Sequence, residues 1–368
     1  MTAMENFIGH TQLQEEYEVC ISKGLVPYVR SSPGIGKSDS AKKFAKKHNL
    51  ELIDIRLSQC TPEDLQGYPM REGDKAVFTP FNIFPLEGEP LPIDQEALAR
   101  MGDKANSLTE EQIPRKNGWL LLLDELSSAN KAVQAAAYKI ILDRQVGSFN
   151  LHPNCGMIAC GNLITDKAVV HKMSTALQSR LVHYQLQITV DEWTEWALEH
   201  NIDHRISAFV NFDNNMLMNF NPDHEDHTFA CPRTWEFLNR TMNNVTVDRS
   251  AHQPRICGTI GSGAGMEFIS FCEVYNDLPK WDHIIDPKIN EALTPPPEPT
   301  AKFAVISWIG AEVEKTDVEK VLPYVQKFGG EFQMLFCRHI LRRLPNMDRE
   351  SEEFRKFSMK IISKANRS

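Results

Sequence analysis

The run Trp119-Leu120-Leu121-Leu122-Leu123 limits what this chain can fold into more than any other stretch. A strand with apolar residues on both sides must be buried on both faces, which is the mark of a parallel sheet with helices on either side. Leu25–Val29, Leu50–Leu57, Gly156–Cys160 and Leu181–Ile188 read as further strands, giving an α/β domain with a mostly parallel sheet of about five strands. Pro27 fits the first of these best near its start, because proline cannot donate to a ladder. Helices are expected over Gln12–Lys23, Asp39–His48 and Asn130–Leu142, with Arg144-Gln145-Val146-Gly147 as a turn. The central run ends on Asp124-Glu125, two carboxylates at the strand end where open α/β sheets place ligands.

Between the first strand and the helix from Asp39 stands Ser31-Ser32-Pro33-Gly34-Ile35-Gly36-Lys37-Ser38. A strand, a glycine loop and a helix N-terminus together make an anion site, because backbone N–H groups converge there and the helix dipole adds positive charge. The stretch is nearly the P-loop pattern G-x-x-x-x-G-K-[ST], in which the lysine reaches β- and γ-phosphates and the hydroxyl ligates Mg²⁺. Pro33, Gly34, Ile35, Gly36, Lys37, Ser38 and Asp39 are thus the expected nucleotide-binding residues. Ser31 departs from the pattern's first glycine, and serine restricts φ where glycine does not. Asp124 has the position of the carboxylate that shares Mg²⁺ with Ser38. Glu125 can orient and deprotonate an attacking water, and Asn162, at the end of another buried strand, can bond that water or the γ-phosphate. Taken singly, a charged pair after a strand is a turn and a lone asparagine likewise. ATP is favoured over GTP, since Asn130-Lys131-Ala132-Val133 lacks the carboxylate of a guanine-reading N-K-x-D motif.

The 368 residues allow two or three compact units. With 40 basic and 49 acidic residues the formal net charge is -9, which speaks against a generic nucleic-acid binder. Met1 to His10 lacks the layout of a signal peptide, and no apolar run approaches the roughly 20 residues that span a bilayer. The eight cysteines form no C-x-x-C pair, so reduced, mostly buried thiols in a cytoplasmic protein are expected. Ser58 to Pro114 is rich in proline and glycine and reads as an insert, with hairpin or loop elements over Gly67–Phe84 and a short helix near Gln95–Met101. His224, His227 and Cys231 have some metal-ligand character, but no fourth ligand has suitable spacing. Beyond Val190 the pattern is helical, interrupted by the stiff stretch Pro295-Pro296-Pro297-Glu298-Pro299.

The order of Pro33-Gly34-Ile35-Gly36-Lys37-Ser38, Leu122-Leu123-Asp124-Glu125, Ala159-Cys160-Gly161-Asn162, Leu177-Gln178-Ser179-Arg180 and Pro232-Arg233 resembles AAA+ ATPases. More narrowly it resembles the MoxR-like group, with support from Pro62-Glu63-Asp64-Leu65-Gln66-Gly67 and Leu142-Asp143-Arg144-Gln145-Val146-Gly147. The resemblance covers Val26 to about Arg240 and continues more weakly through Gly261–Phe271 and Glu331–Leu344. It implies a P-loop AAA+ core over residues 1–190 with an insert at about 58–118, a helical lid over 191–292 and a helical C-terminal extension over 300–368. It also implies roles: Asn162 as the sensor of the γ-phosphate, Arg233 as the second sensor, and Arg180 as an arginine finger in a neighbouring subunit's site. Such a finger is worth roughly 10³–10⁵ in rate. A finger acting in trans requires a ring or open ring, with six subunits the family default. The implied partners are ATP, Mg²⁺, further copies of the chain and a protein client, with a von Willebrand A-domain protein as a candidate and no membrane. Where the group commonly has asparagine and arginine after the carboxylates, Leu126-Ser127-Ser128-Ala129 stands here, so no role passes to Ser127 or Ser128. Two rivals remain: a DNA-directed motor or loader, for which Lys42–Lys47 and Arg338–Arg343 supply basic runs, and a nucleotide-gated assembly module with little hydrolysis.

Overall fold

The computed structural model describes residues 7–163, 171, 173–223, 226–242, 245–276 and 279–365. The chain divides into two compact units, Met1–Ile188 and Thr189–Ser368. The first is built on six parallel strands in the order β1 (Phe7–Ile8), β10 (Leu181–Leu186), β2 (Val26–Ser31), β9 (Cys155–Asn162), β6 (Gly118–Asp124), β3 (Leu50–Arg56). All seven residues of β6 are buried. A fully buried leucine contributes about 2 kcal/mol by leaving water, so this strand anchors the sheet. The sixth strand, β1, corrects the expected five: at two residues it carries no legible periodicity and exists through its pairing to β10. Pro27 is tolerated as the second residue of β2, because pairing to β9 begins only at Tyr28.

Helices α1 (His10–Ser22) and α2 (Lys37–Lys47) lie against β2 and β9, and α2 also reaches β6. Two short helices, α3 (Pro62–Gln66) and α4 (Gln95–Arg100), lie in the segment after β3. On the other face α5 (Lys131–Asp143) buries Val133, Ala136, Ala137 and Ile140 against Leu121 and Leu123, a stripe at helical spacing. Asn130 caps α5, its side-chain oxygen accepting from the N–H groups of Ala132 and Val133, each at 3.0 Å. Helix α6 (Thr175–Gln178) precedes β10. In the insert, β4 (Tyr68–Glu72) and β5 (Lys75–Thr79) form an antiparallel hairpin, as the Gly67–Phe84 reading allowed. A second hairpin, β7 (Gln145–Val146) with β8 (Phe149–Asn150), replaces the expected turn at Arg144–Gly147. Again the strands are two residues long, too short to show in a pattern, and Arg144 in the left-handed region closes α5 just before them.

The second unit is helical among its described residues. In order come α7 (Val190–Glu199), α8 (His204–Phe212), α9 (Pro232–Met242), α10 (Arg249–Ile260), α11 (Ser262–Asn276), α12 (Trp281–Ile285) and α13 (Pro287–Asn290). After them come α14 (Pro299–Glu312), α15 (Val318–Val325), α16 (Gly330–Arg343), α17 (Met347–Glu350) and α18 (Glu352–Ala365). One apolar core joins α14, α15, α16 and α18 through Val305, Ile309, Leu322, Phe336 and Phe354. Arg343 donates to the carbonyls of Gly310, Ala311 and Val313, satisfying the orphan acceptors at the end of α14. No described helix is long and apolar enough to cross a membrane.

Candidate nucleotide site

Strand β2 ends at Ser31, paired in register with Asn162 at the end of β9. The chain then turns through Gly34 (φ 82°) and Gly36 (φ 98°) into α2. Both glycines occupy the left-handed region, where a side chain would be strained. Gly36 is the N-cap residue of α2, and no side chain caps that helix. Its first-turn N–H groups therefore suit an anion, the condition a phosphate needs. From α1, His10 Nε2 donates to the Ile35 carbonyl at 3.0 Å and fixes the back of the loop. Ser31 resolves the concern over the missing glycine. It lies within β2, fully buried, and is not among the residues with positive φ, so this position does not require glycine.

The candidate side chains meet at the C-terminal edge of the sheet. Lys37 Nζ donates to the Ser31 carbonyl at 3.0 Å, Ser31 Oγ at 3.0 Å, the Ser32 carbonyl at 3.3 Å and Asn162 Oδ1 at 3.2 Å. Ser38 Oγ donates to Asp124 Oδ2 at 2.6 Å. A hydroxyl and a nearly buried carboxylate this close form a hard-oxygen pair that fits a divalent cation such as Mg²⁺. Asp124 Oδ1 accepts from the Glu125 N–H at 2.8 Å. Glu125 itself has φ 58°, a conformation that costs a non-glycine residue on the order of 1 kcal/mol or more and that clusters at functional sites. Its carboxylate accepts a hydrogen bond from the Ser58 hydroxyl. Electrostatics reflect the crowding of acids: burial, then the charge of Asp124, raises Asp54 above its usual range. Burial and the same charge push the Cys160 thiol far up.

Pro33 and Ile35 lie in the loop between β2 and α2. The Asp39 carboxylate does not join the cluster; it pairs with Lys42 at 3.6 Å on the exposed side of α2. Arg180 lies elsewhere. It precedes β10, whose first residue, Leu181, stands beside Val26 at the start of β2. That puts it at the sheet edge opposite the loop, about 17 Å from Ser31 at roughly 3.3 Å per strand residue. Arg180 is exposed, and no described residue bonds its guanidinium. Arg233, also exposed, is the second residue of α9 in the second unit.

Three site residues escaped sequence reasoning. His10 is distant in sequence from the loop it holds. Ser58 follows β3, whose Arg56 is in register with Asp124, so only strand pairing brings it to Glu125. Ser127 bonds Asn162, as described below. Within the basic runs, Lys47 pairs with Glu18 at 2.6 Å, Arg342 pairs with Asp191 at 3.1 Å, and Arg343 caps α14. His224 and Glu225 of the alternative metal cluster lie outside the described residues, and no group of three or more His, Cys, Asp or Glu side chains that could hold a metal ion occurs among those described.

No protein-family model matches the sequence, and no curated protein does. Among solved structures, a candidate ATPase of Cytophaga hutchinsonii is 16% identical over 67% of this chain, with a TM-score of 0.35. The match spans 62% of that protein, less than two thirds of its length. The Thermotoga maritima RuvB Holliday junction branch migration motor is 15% identical, covering 87% of this chain and 88% of its own, with a TM-score of 0.36. At such TM-scores neither structure informs the fold or the site, which rest on the residues themselves.

Proposed function

We propose that the chain is an Mg²⁺-dependent ATPase of the AAA+ class, MoxR-like, that works as a ring and remodels or assembles a protein partner. The observation that carries this reading is the convergence of Lys37, Ser38, Asp124 and Asn162 on one uncapped helix N-terminus at the end of parallel strands. Bound there, Mg²⁺ would neutralise charge on the β- and γ-phosphate oxygens. Ser38 and Asp124 would hold it, the loop N–H groups and Lys37 would cradle the phosphates, and Asn162 would bond the γ-phosphate. Glu125, steered by Ser58, would accept the proton of the attacking water.

Arg180 supports the ring. It is exposed and lies at the end of the strands opposite its own loop, which fits a role in another copy's site rather than its own. A heterologous contact of this kind closes into a ring when the rotation allows, and six subunits is the number the resemblance implies. Arg233 is assigned as the second sensor on a lid over 191–292, with 300–368 as a C-terminal extension. The client surface is assigned to the β4–β5 hairpin, which exposes Tyr68, Met70 and Phe78. A von Willebrand A-domain protein is the candidate partner. The internal pairing of Lys47, Arg342 and Arg343 favours a protein client over DNA.

The test compares ATP turnover by wild type, Lys37→Ala, Glu125→Gln and Arg180→Ala. Each variant is expected to lose turnover, and mixing Lys37→Ala with Arg180→Ala subunits is expected to restore part of it, since some mixed interfaces keep both groups. Equal turnover in wild type, Lys37→Ala and Glu125→Gln would sink the reading. Failure of mixing alone would remove the finger in trans.

A further inference from the structure

Ser127 forms a polar link beneath Asn162. Ser127 Oγ accepts from the Asn162 N–H at 3.0 Å and lies 3.5 Å from its carbonyl. Ser127 is 3% exposed, and the phenol of Tyr28 on β2, itself 1% exposed, lies with it around Gly161. The arrangement needs Gly161: a Cβ there would come within 2.2 Å of Tyr28 Oη and 2.7 Å of Ser127 Oγ. The turn that carries Ser127 is itself stitched to β9. Leu126 N–H donates to the Cys160 carbonyl at 2.9 Å, and Gln134 Nε2 donates to the carbonyls of Leu126 and Ala129 at 3.2 and 3.1 Å.

This turn begins at the two carboxylates and ends at α5. Ser127 therefore connects the segment bearing Asp124 and Glu125 to the residue whose side chain meets Lys37. The link joins the turn that follows β6 to the end of β9, and a displaced Asn162 backbone would carry Oδ1 away from Lys37. A buried N–H without a partner is costly, so the serine hydroxyl fixes one Asn162 position rather than several.

We infer that Ser127 is a positioning residue for catalysis, holding Asn162 in register with the carboxylate turn through the Asn162 N–H. This rests on the reading of Asn162 as a group that bonds nucleotide. Ser127→Ala is expected to lower kcat for ATP roughly tenfold, the effect of about one lost buried hydrogen bond, with KM changed less than about twofold. In an Asn162→Ala background the same substitution is expected to change kcat less than about twofold, because a positioning residue has nothing left to position. A merely structural serine would give equal losses in both backgrounds, and that result overturns the inference. So does full kcat in Ser127→Ala while Glu125→Gln is inactive, or a loss confined to KM. If wild type and Glu125→Gln turn over alike, the ATPase reading itself has failed, a distinct outcome. Should Ser127→Ala not fold, Ser127→Cys carries the same test, since a thiol accepts the Asn162 N–H only weakly, with an expected loss of about threefold in kcat that vanishes in Asn162→Ala.

Discussion

Replacing Ser31 with glycine, the residue the P-loop pattern has at this position, is expected to destabilise the protein. Ser31 is an extended, fully buried strand residue, so glycine relieves no strain there. Glycine instead costs about 0.5–1 kcal/mol of backbone entropy. The serine hydroxyl also accepts from Lys37 Nζ at 3.0 Å and donates to the Ser32 carbonyl at 2.9 Å. A bond to a charged group is worth about 1.5–3 kcal/mol, but Lys37 keeps three other acceptors, so only a fraction is lost. The sum is about 2 kcal/mol. For a unit spanning Met1–Ile188, this should lower Tm by about 4–8 °C, at roughly 2–4 °C per kcal/mol. Calorimetry of wild type, Ser31→Ala and Ser31→Gly separates the terms, since alanine removes the hydroxyl without the glycine entropy and should cost about 1 kcal/mol. A Ser31→Gly protein as stable as wild type, or more so, would refute the reasoning and return Ser31 to the status of a strained substitute.

Two further outcomes follow from how far titratable groups are withdrawn from water. His339 is held at about 4 by burial, with the charges of Arg338, Arg342 and Arg343 adding to the shift, and its ring packs on Gly310 of α14. Its folded pKa is depressed below the unfolded value of about 6.5, so the unfolded state binds the extra proton between these values. Stability should then fall as pH drops from about 6.5 to about 4, by roughly 3 kcal/mol in total from this group, and urea midpoints of His339→Gln should show a shallower acid slope. Among the cysteines, Cys60 and Cys257 are half-buried and the other six buried. Mass spectrometry after brief native alkylation should find label at those two first; early label at Cys155, whose thiol burial pushes up to about 11, would contradict this burial pattern.

Much of the candidate site was legible because its parts lie in local patterns. The glycine loop, the apolar strand ending in Asp124 and Glu125, and the strand ending in Asn162 each declare themselves within ten residues. What placed them together was strand order: β9 lies between β2 and β6, so the loop and the carboxylates flank Asn162. The elements the sequence reading missed or misread, β1, β7 and β8, are two residues long and have no period to detect.

The sequence by itself determined a doubly covered parallel sheet, a phosphate-type loop and a pair of carboxylates, because hydrophobic period and glycine placement act over short range. Only the tertiary structure decided how those pieces are held. Ser38 meets Asp124, Ser58 meets Glu125, His10 meets Ile35 and Ser127 meets Asn162 across long separations in the chain. Each contact depends on which strands are neighbours and in what register, and that is fixed by packing rather than by any local pattern. Ser31 shows the same division: an anomaly when compared with a motif, it is an ordinary strand residue once its backbone is seen.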